Sequence, residues 1–85
     1  MLIKVNPFTI DSEEMTFRKI YEELSELSEV RANFLYGYQT TADFLQMETG
    51  DLLTAIVNWC EWVGLNPQEC VDLAEEKNRA RGRYL

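Results

Sequence analysis

The segment from residue 42 to residue 63 carries apolar side chains around almost its whole helical circumference, and this limits the folds open to the chain. A helix turns about 100° per residue, so the aromatic and aliphatic residues of this segment fall on nearly every side. Such a helix is stable in water only when other helices cover it. The sequence therefore predicts a helix at the centre of a helical assembly.

Start and stop signals divide the rest of the chain into two further helices. The first helix is predicted to run to about residue 35, the central one from about 42 to 63, and the third to about 80. The N-terminal cap candidates are Asp11 or Ser12, Thr40 or Thr41, and Asn66 followed by Pro67. The first two helices are predicted to end at Gly37 and Gly64.

These signals predict an all-α chain of three main helices that form a short helical bundle. Residues 1–10 are expected to be an N-terminal arm, and residues 11–85 the helical domain. A hydrophobic fraction of 46% is high for 85 residues, so we expect oligomerisation to complete the bundle. No signal peptide or membrane span is apparent, and a cytoplasmic protein without membrane contact is expected.

The charge balance narrows the possible functions. A net charge of −7 argues against binding a nucleic-acid polymer. The absence of histidine excludes His-based triads and His-ligated zinc. Cys60 and Cys70 lack the spacing of a CxxC motif. Chemistry in this chain must therefore use carboxylates, Lys, Arg, Tyr or the two cysteines.

Four carboxylates are predicted to point inward. Glu23 projects at the edge of the apolar sector of the first helix, and Glu26 follows one turn later. Glu48 and Asp51 share a face of the central helix with aromatic and aliphatic residues. Because an unpaired carboxylate is costly to bury, a compensating positive charge is expected.

The residues alone allow two ways of balancing this negative charge. Lys77 and Arg81, spaced i and i+4 on the third helix, could form a buried ion-pair network with Glu48 and Asp51. That network leaves the acids of the first helix unexplained, whereas a divalent cation would balance all four. Oxygen ligands without histidine or cysteine suit Mg²⁺, or alternatively Mn²⁺.

The order of these acids resembles a known family. Residues 22–26 read EExxE and residues 48–51 read ExxD. The turn at 64–69 and the basic stretch at 76–84 continue the similarity, which covers about residues 17–84. Together they resemble the MazG-like all-α nucleoside triphosphate pyrophosphohydrolases.

The resemblance implies specific roles for the residues. It implies that Glu23, Glu26, Glu48 and Asp51 bind Mg²⁺ as the catalytic metal site. It also implies that basic residues of the last helix hold the triphosphate. Candidates for phosphate or nucleotide binding are Lys77, Arg81, Asn78 and Asn58.

The implied reaction converts a ribo- or deoxyribonucleoside triphosphate to the monophosphate and pyrophosphate. Family members usually carry a further helix before EExxE, where this sequence has only residues 1–10. A homodimer or homotetramer is therefore expected to supply the missing layer. The alternatives are a non-catalytic regulator that binds nucleotide or metal, and a helical interaction protein.

Overall fold

Three α-helices make up the regular structure of the chain. The computed structural model describes residues 4–5, 12–37 and 41–84, and it contains α1 (Glu13–Leu35), α2 (Ala42–Val63) and α3 (Pro67–Ala80). No strand occurs within those ranges. The predicted all-α class with three helices is confirmed, while the arm at residues 1–10 lies outside the described residues except for positions 4 and 5.

The helix ends follow the predicted capping chemistry. Ser12 and Thr41 each accept a backbone N–H from the first turn of their helix, at 3.1 and 3.2 Å. Asn66 Oδ1 accepts two such N–H groups, at 2.9 and 3.1 Å. Gly37 and Gly64 follow the helices with φ of 75° and 80°, the left-handed region that glycine enters at little cost.

Helices α1 and α2 pack as an antiparallel pair. Trp59 Nε1, near the end of α2, donates a hydrogen bond of 2.9 Å to Glu13 Oε2 at the start of α1. The Phe17 ring meets the Trp59 ring edge-on, with centroids 5.2 Å apart. Among the residues for which burial is described, the buried apolar ones are Val30, Ala55, Val57 and Cys60. This pairing brings the middle of α1 beside the first half of α2.

Helix α3 is held far more loosely. Among the described helices it contacts only α2, and none of its residues is buried. The connection is tight, because Leu65 N donates to Cys60 O across 2.8 Å at the end of α2. Many large apolar side chains remain exposed on all three helices. A single chain thus forms two packed helices, with a third attached to α2. A search of the described helices for a segment with the length and apolar character of a membrane span found none.

Candidate metal centre

Three carboxylates meet between α1 and α2. Glu23 and Glu26 lie one turn apart on α1, and Glu48 approaches from α2. One carboxylate oxygen from each residue lies within 4.8 Å of the other two. Glu23 is the most enclosed, with 6% of its surface exposed, whereas Glu48 is half-buried and Glu26 is exposed. The three-acid group therefore opens to solvent on the Glu26 side.

The helical repeat explains why α1 buries an acid. Thr16, Glu23 and Val30 are the buried residues of α1, and they are spaced seven apart. Residues at that spacing share one side of a helix because seven residues make nearly two turns. Glu23 therefore lies on the side of α1 that faces α2, beside the apolar residues that hold the pair together.

Within the part of the chain that the structure describes, one cationic side chain pairs with an acid of this group. Lys19 Nζ lies 3.1 Å from Glu23 Oε1 and 3.4 Å from Glu22 Oε1. The hydrogen bond to Glu23 is the main reason that the pKa of Lys19 lies above its usual value. The second oxygens, Oε2 of Glu23 and Oε2 of Glu48, are buried and have no hydrogen-bond partner. Lys19 thus satisfies one side of Glu23 and leaves an oxygen on each helix unsatisfied.

The excess negative charge of the group affects the ionisation of Glu26. The negative charge of Glu23, followed by partial desolvation and the charge of Glu48, raises the pKa of Glu26. A carboxylate beside like charges becomes harder to ionise. Folding therefore holds three acids together against their mutual repulsion, and of the three only Glu23 is shown paired with Lys19.

The fourth predicted ligand lies outside this group. Asp51 is exposed on α2, one turn after Glu48, and its carboxylate is not among the oxygens that converge. The structure therefore brings together three of the four acids singled out in the sequence.

The predicted phosphate-binding bases do not approach these acids within one chain. Lys77 is exposed near the end of α3 and Arg81 is exposed just after it, while α3 makes no contact with α1. The ion pairs of the described residues all lie within α1. The ion-pair network considered for Glu48, Asp51 and these bases is therefore wrong. It fails because α3 follows the tight turn at the end of α2 and packs only slightly against α2, so its basic end does not reach the acids.

The two candidate asparagines make local hydrogen bonds. Asn58 is buried on α2, and its Nδ2 donates to the Thr54 carbonyl oxygen one turn earlier, at 2.9 Å. Asn78 Oδ1 accepts from Arg83 Nη1 at 3.2 Å and its Nδ2 donates to the Tyr84 hydroxyl at 3.5 Å. Asn78 therefore organises the turn that follows α3.

Lys19 is the residue of this site that the sequence analysis missed. Its spacing of three and four residues from Glu22 and Glu23 is the ordinary signal of a helical ion pair. This spacing indicates an ion pair on the surface of α1, and it does not by itself show that the pair lies at the three-acid group.

Comparisons of the chain with models of protein families, with curated proteins and with solved structures found no match. The assignment of a function therefore rests on the geometry of the three-acid group and on the order of acids in the sequence.

Proposed function

We propose that the chain is a metal-dependent nucleoside triphosphate pyrophosphohydrolase of the MazG-like type. The observation that carries the proposal is the pair of buried, unpartnered oxygens, Glu23 Oε2 and Glu48 Oε2, within the three-acid group. A buried carboxylate oxygen without a partner is rare in a stable protein and calls for an explanation such as a bound ion. The EExxE and ExxD patterns support the same residues.

The donors fit a hard divalent cation. Glu23, Glu26 and Glu48 offer only carboxylate oxygens, and one oxygen of each converges within 4.8 Å. Mg²⁺ and Mn²⁺ prefer such ligands, and Mg²⁺ commonly takes one or two carboxylates with water and substrate phosphates. Asp51, exposed beside Glu48, is proposed as the fourth ligand, reached by a change of rotamer.

The proposed reaction splits the bond between the α- and β-phosphates by attack of water at the α-phosphorus. A cation held by these acids would neutralise phosphate charge and lower the pKa of the attacking water. The carboxylates of Glu23 and Glu48 already lie close together on two packed helices, so these two ligands need little rearrangement to bind a cation. Lys19 pairs with Oε1 of Glu23, and Oε2 of Glu23 is buried without a hydrogen-bond partner.

Binding of the triphosphate is proposed to need more than one subunit. Lys77 and Arg81 are exposed and distant in the fold from α1 of the same chain. In a homodimer or homotetramer, α3 of another copy could bring these bases to the acids. Asn58 and Asn78 remain weaker candidates because both already hold local hydrogen bonds.

The test is pyrophosphate release from a panel of ribo- and deoxyribonucleoside triphosphates, with Mg²⁺, with Mn²⁺ and with a chelator. We expect metal-dependent release from the wild type and its loss in Glu48→Gln. The matched control is Glu61→Gln, which makes the same change at an exposed acid of α2 outside the three-acid group. Release that survives Glu48→Gln, or the absence of release with every nucleotide, would refute the proposal.

A non-catalytic regulator that binds metal or nucleotide is the second candidate. The separation of Lys77 and Arg81 from the acids favours it, because one chain then holds a cation site without a complete phosphate site. Melting with metal and with nucleotide distinguishes the two. A rise in Tm without turnover supports the regulator, and no metal response supports a helical interaction protein.

A further inference from the structure

Cys60 and Cys70 lie on either side of the turn that joins α2 to α3. Cys60 belongs to the last turn of α2 and Cys70 to the first turn of α3. Leu65 N donates a hydrogen bond of 2.8 Å to the carbonyl oxygen of Cys60. Cys70 N donates one of 3.1 Å to the carbonyl oxygen of Asn66. The backbones of both cysteines are therefore bonded to two consecutive residues of the same turn.

Local bonds fix the geometry of this turn. Gly64 adopts a left-handed backbone with φ of 80°, and the bond from Leu65 to Cys60 closes the end of α2 in the manner of a Schellman motif. Asn66 Oδ1 accepts two backbone N–H groups of α3, and Pro67 follows at the first helical position. The direction in which α3 leaves α2 is therefore set beside the two cysteines.

The two thiols also interact with each other. Burial, followed by the charge and the hydrogen bond of the Cys70 thiol, raises the pKa of Cys60. Cys60 is 5% exposed, whereas Cys70 is open to solvent, and neither is in a disulfide. The turn thus brings together one enclosed and one accessible sulfur.

We propose that Cys60 and Cys70 form a reversible intramolecular disulfide that joins α3 covalently to α2 under oxidising conditions. Such a bond would act on the most weakly held helix, because α3 has no buried residue and among the described helices contacts only α2. It closes a loop of about ten residues, and a cross-link stabilises a fold mainly by restricting the unfolded chain. The inference does not rest on the proposed function, because the cysteine pair and the three-acid group share no residue.

The oxidant is a small disulfide such as oxidised glutathione. The accessible Cys70, as its thiolate, attacks one sulfur of the oxidant, which forms a mixed disulfide and releases one glutathione thiolate. Cys60 then gives its proton to solvent, and its sulfur attacks the Cys70 sulfur and expels the second glutathione. Two protein thiols are oxidised to one disulfide, and the oxidant is reduced to two thiols that take up the two protons.

Mass spectrometry of the full chain in glutathione buffers tests the proposal. We expect the folded wild type to lose the mass of two hydrogen atoms without forming a covalent dimer. A protease that cleaves after glutamate cuts at Glu61 and Glu69, between the cysteines, so the oxidised chain should yield two peptides that separate only on reduction. The equilibrium constant for disulfide formation should be at least about tenfold greater in the folded chain than in urea, because the fold holds the sulfurs together.

Cys60→Ala and Cys70→Ala are matched controls for each other. Cys60→Ala leaves Cys70 without a second thiol to resolve the mixed disulfide, so it should retain one glutathione. Cys70→Ala should stay unmodified while folded, because Cys60 is buried.

Hydrogen exchange measures the effect on α3. Amides 71–74 should exchange at least about tenfold more slowly in the oxidised wild type than in the reduced one, because the bond restricts the opening of this part of α3. Cys70→Ala should show no such difference between the two buffers. The inference is overturned by a wild type that stops at the mixed disulfide or links two chains, by an equilibrium constant no greater than in urea, or by unchanged exchange in α3.

Discussion

Replacing Glu23 with glutamine should make the metal-free chain more stable and the metal-loaded chain less stable than the wild type. Glutamine keeps the size of the side chain and removes its charge. In the wild type, Glu23 Oε2 is buried without a partner beside the carboxylates of Glu26 and Glu48. The amide of glutamine can donate a hydrogen bond to either neighbour, which removes the repulsion in the absence of metal.

The expected change in the free energy of unfolding is the difference between two opposing contributions. Removing a buried unsatisfied oxygen gains about 1–3 kcal/mol, and weakening the partly exposed ion pair with Lys19 loses at most about 1 kcal/mol. The mid-range values, a gain of about 2 kcal/mol less a loss of about 0.5 kcal/mol, give a rise of about 1.5 kcal/mol in the free energy of unfolding without metal, within a range of about 0–3 kcal/mol. A rise of about 1.5 kcal/mol corresponds to about 6–12 °C in Tm for a chain of this size. Metal at a hundredfold excess over its Kd stabilises the wild type by about 2.7 kcal/mol, which reverses the order of the two proteins.

Thermal melting of both proteins in chelator and in a Mg²⁺ or Mn²⁺ titration checks this reversal. Glu29→Gln is the control, since Glu29 is an exposed acid of α1 outside the three-acid group. It should melt close to the wild type in chelator and show the same metal response. The reasoning fails if Glu23→Gln melts below the wild type in chelator, or if metal stabilises the two proteins equally.

Three further predictions follow from individual contacts. Because neighbouring negative charge raises the pKa of Glu26 above its usual 4.5, the folded chain keeps a proton that the unfolded chain releases. Metal-free stability should therefore fall as pH rises from about that value through the raised pKa, and urea titrations of Glu26→Gln should show a flatter profile. Trp59→Phe removes the hydrogen bond to Glu13 and should lower the free energy of unfolding by about 1 kcal/mol. The control Trp62→Phe, at a half-exposed ring, should change the free energy of unfolding by less than about 0.5 kcal/mol. Equal losses in the two variants would contradict the role given to the Trp59–Glu13 hydrogen bond. Asn66→Ala removes the cap of α3 at a cost of about 1 kcal/mol, so far-UV circular dichroism should show a partial loss of helix at temperatures where α1 and α2 stay folded.

The helices and their ends were predictable because their signals are local. Thr41, Gly64 and Asn66 act within one turn of their own positions, through a side-chain oxygen or a left-handed backbone. The inward direction of Glu23 and Glu48 also follows from helical periodicity, which needs no knowledge of the partner helix. For that reason sequence and structure agree on the acids at the centre of the site.

The position of α3 was not predictable in the same way. Lys77 and Arg81 share a side of the chain near the end of α3, but periodicity does not say which surface that side meets. The angle at which α3 leaves Gly64 decides this, and it places the bases away from α1. Asp51 differs for a related reason: three residues turn the helix by about 300°, so Asp51 lies about 60° around α2 from Glu48, where it is exposed to solvent.

The absence of any buried residue on α3 has a kinetic consequence. A helix without buried side chains opens at a small free energy, so its amide hydrogens should exchange with solvent much faster than those of α1 and α2. Under the proposed function, Lys77, carried by α3, and Arg81, just beyond its end, would lose part of this freedom when a phosphate binds them. Part of the binding free energy is used in that ordering, which weakens the affinity and shortens the lifetime of the bound state. For the proposed pyrophosphohydrolase, which would release a monophosphate and pyrophosphate after each turnover, a loosely attached α3 favours rapid product release.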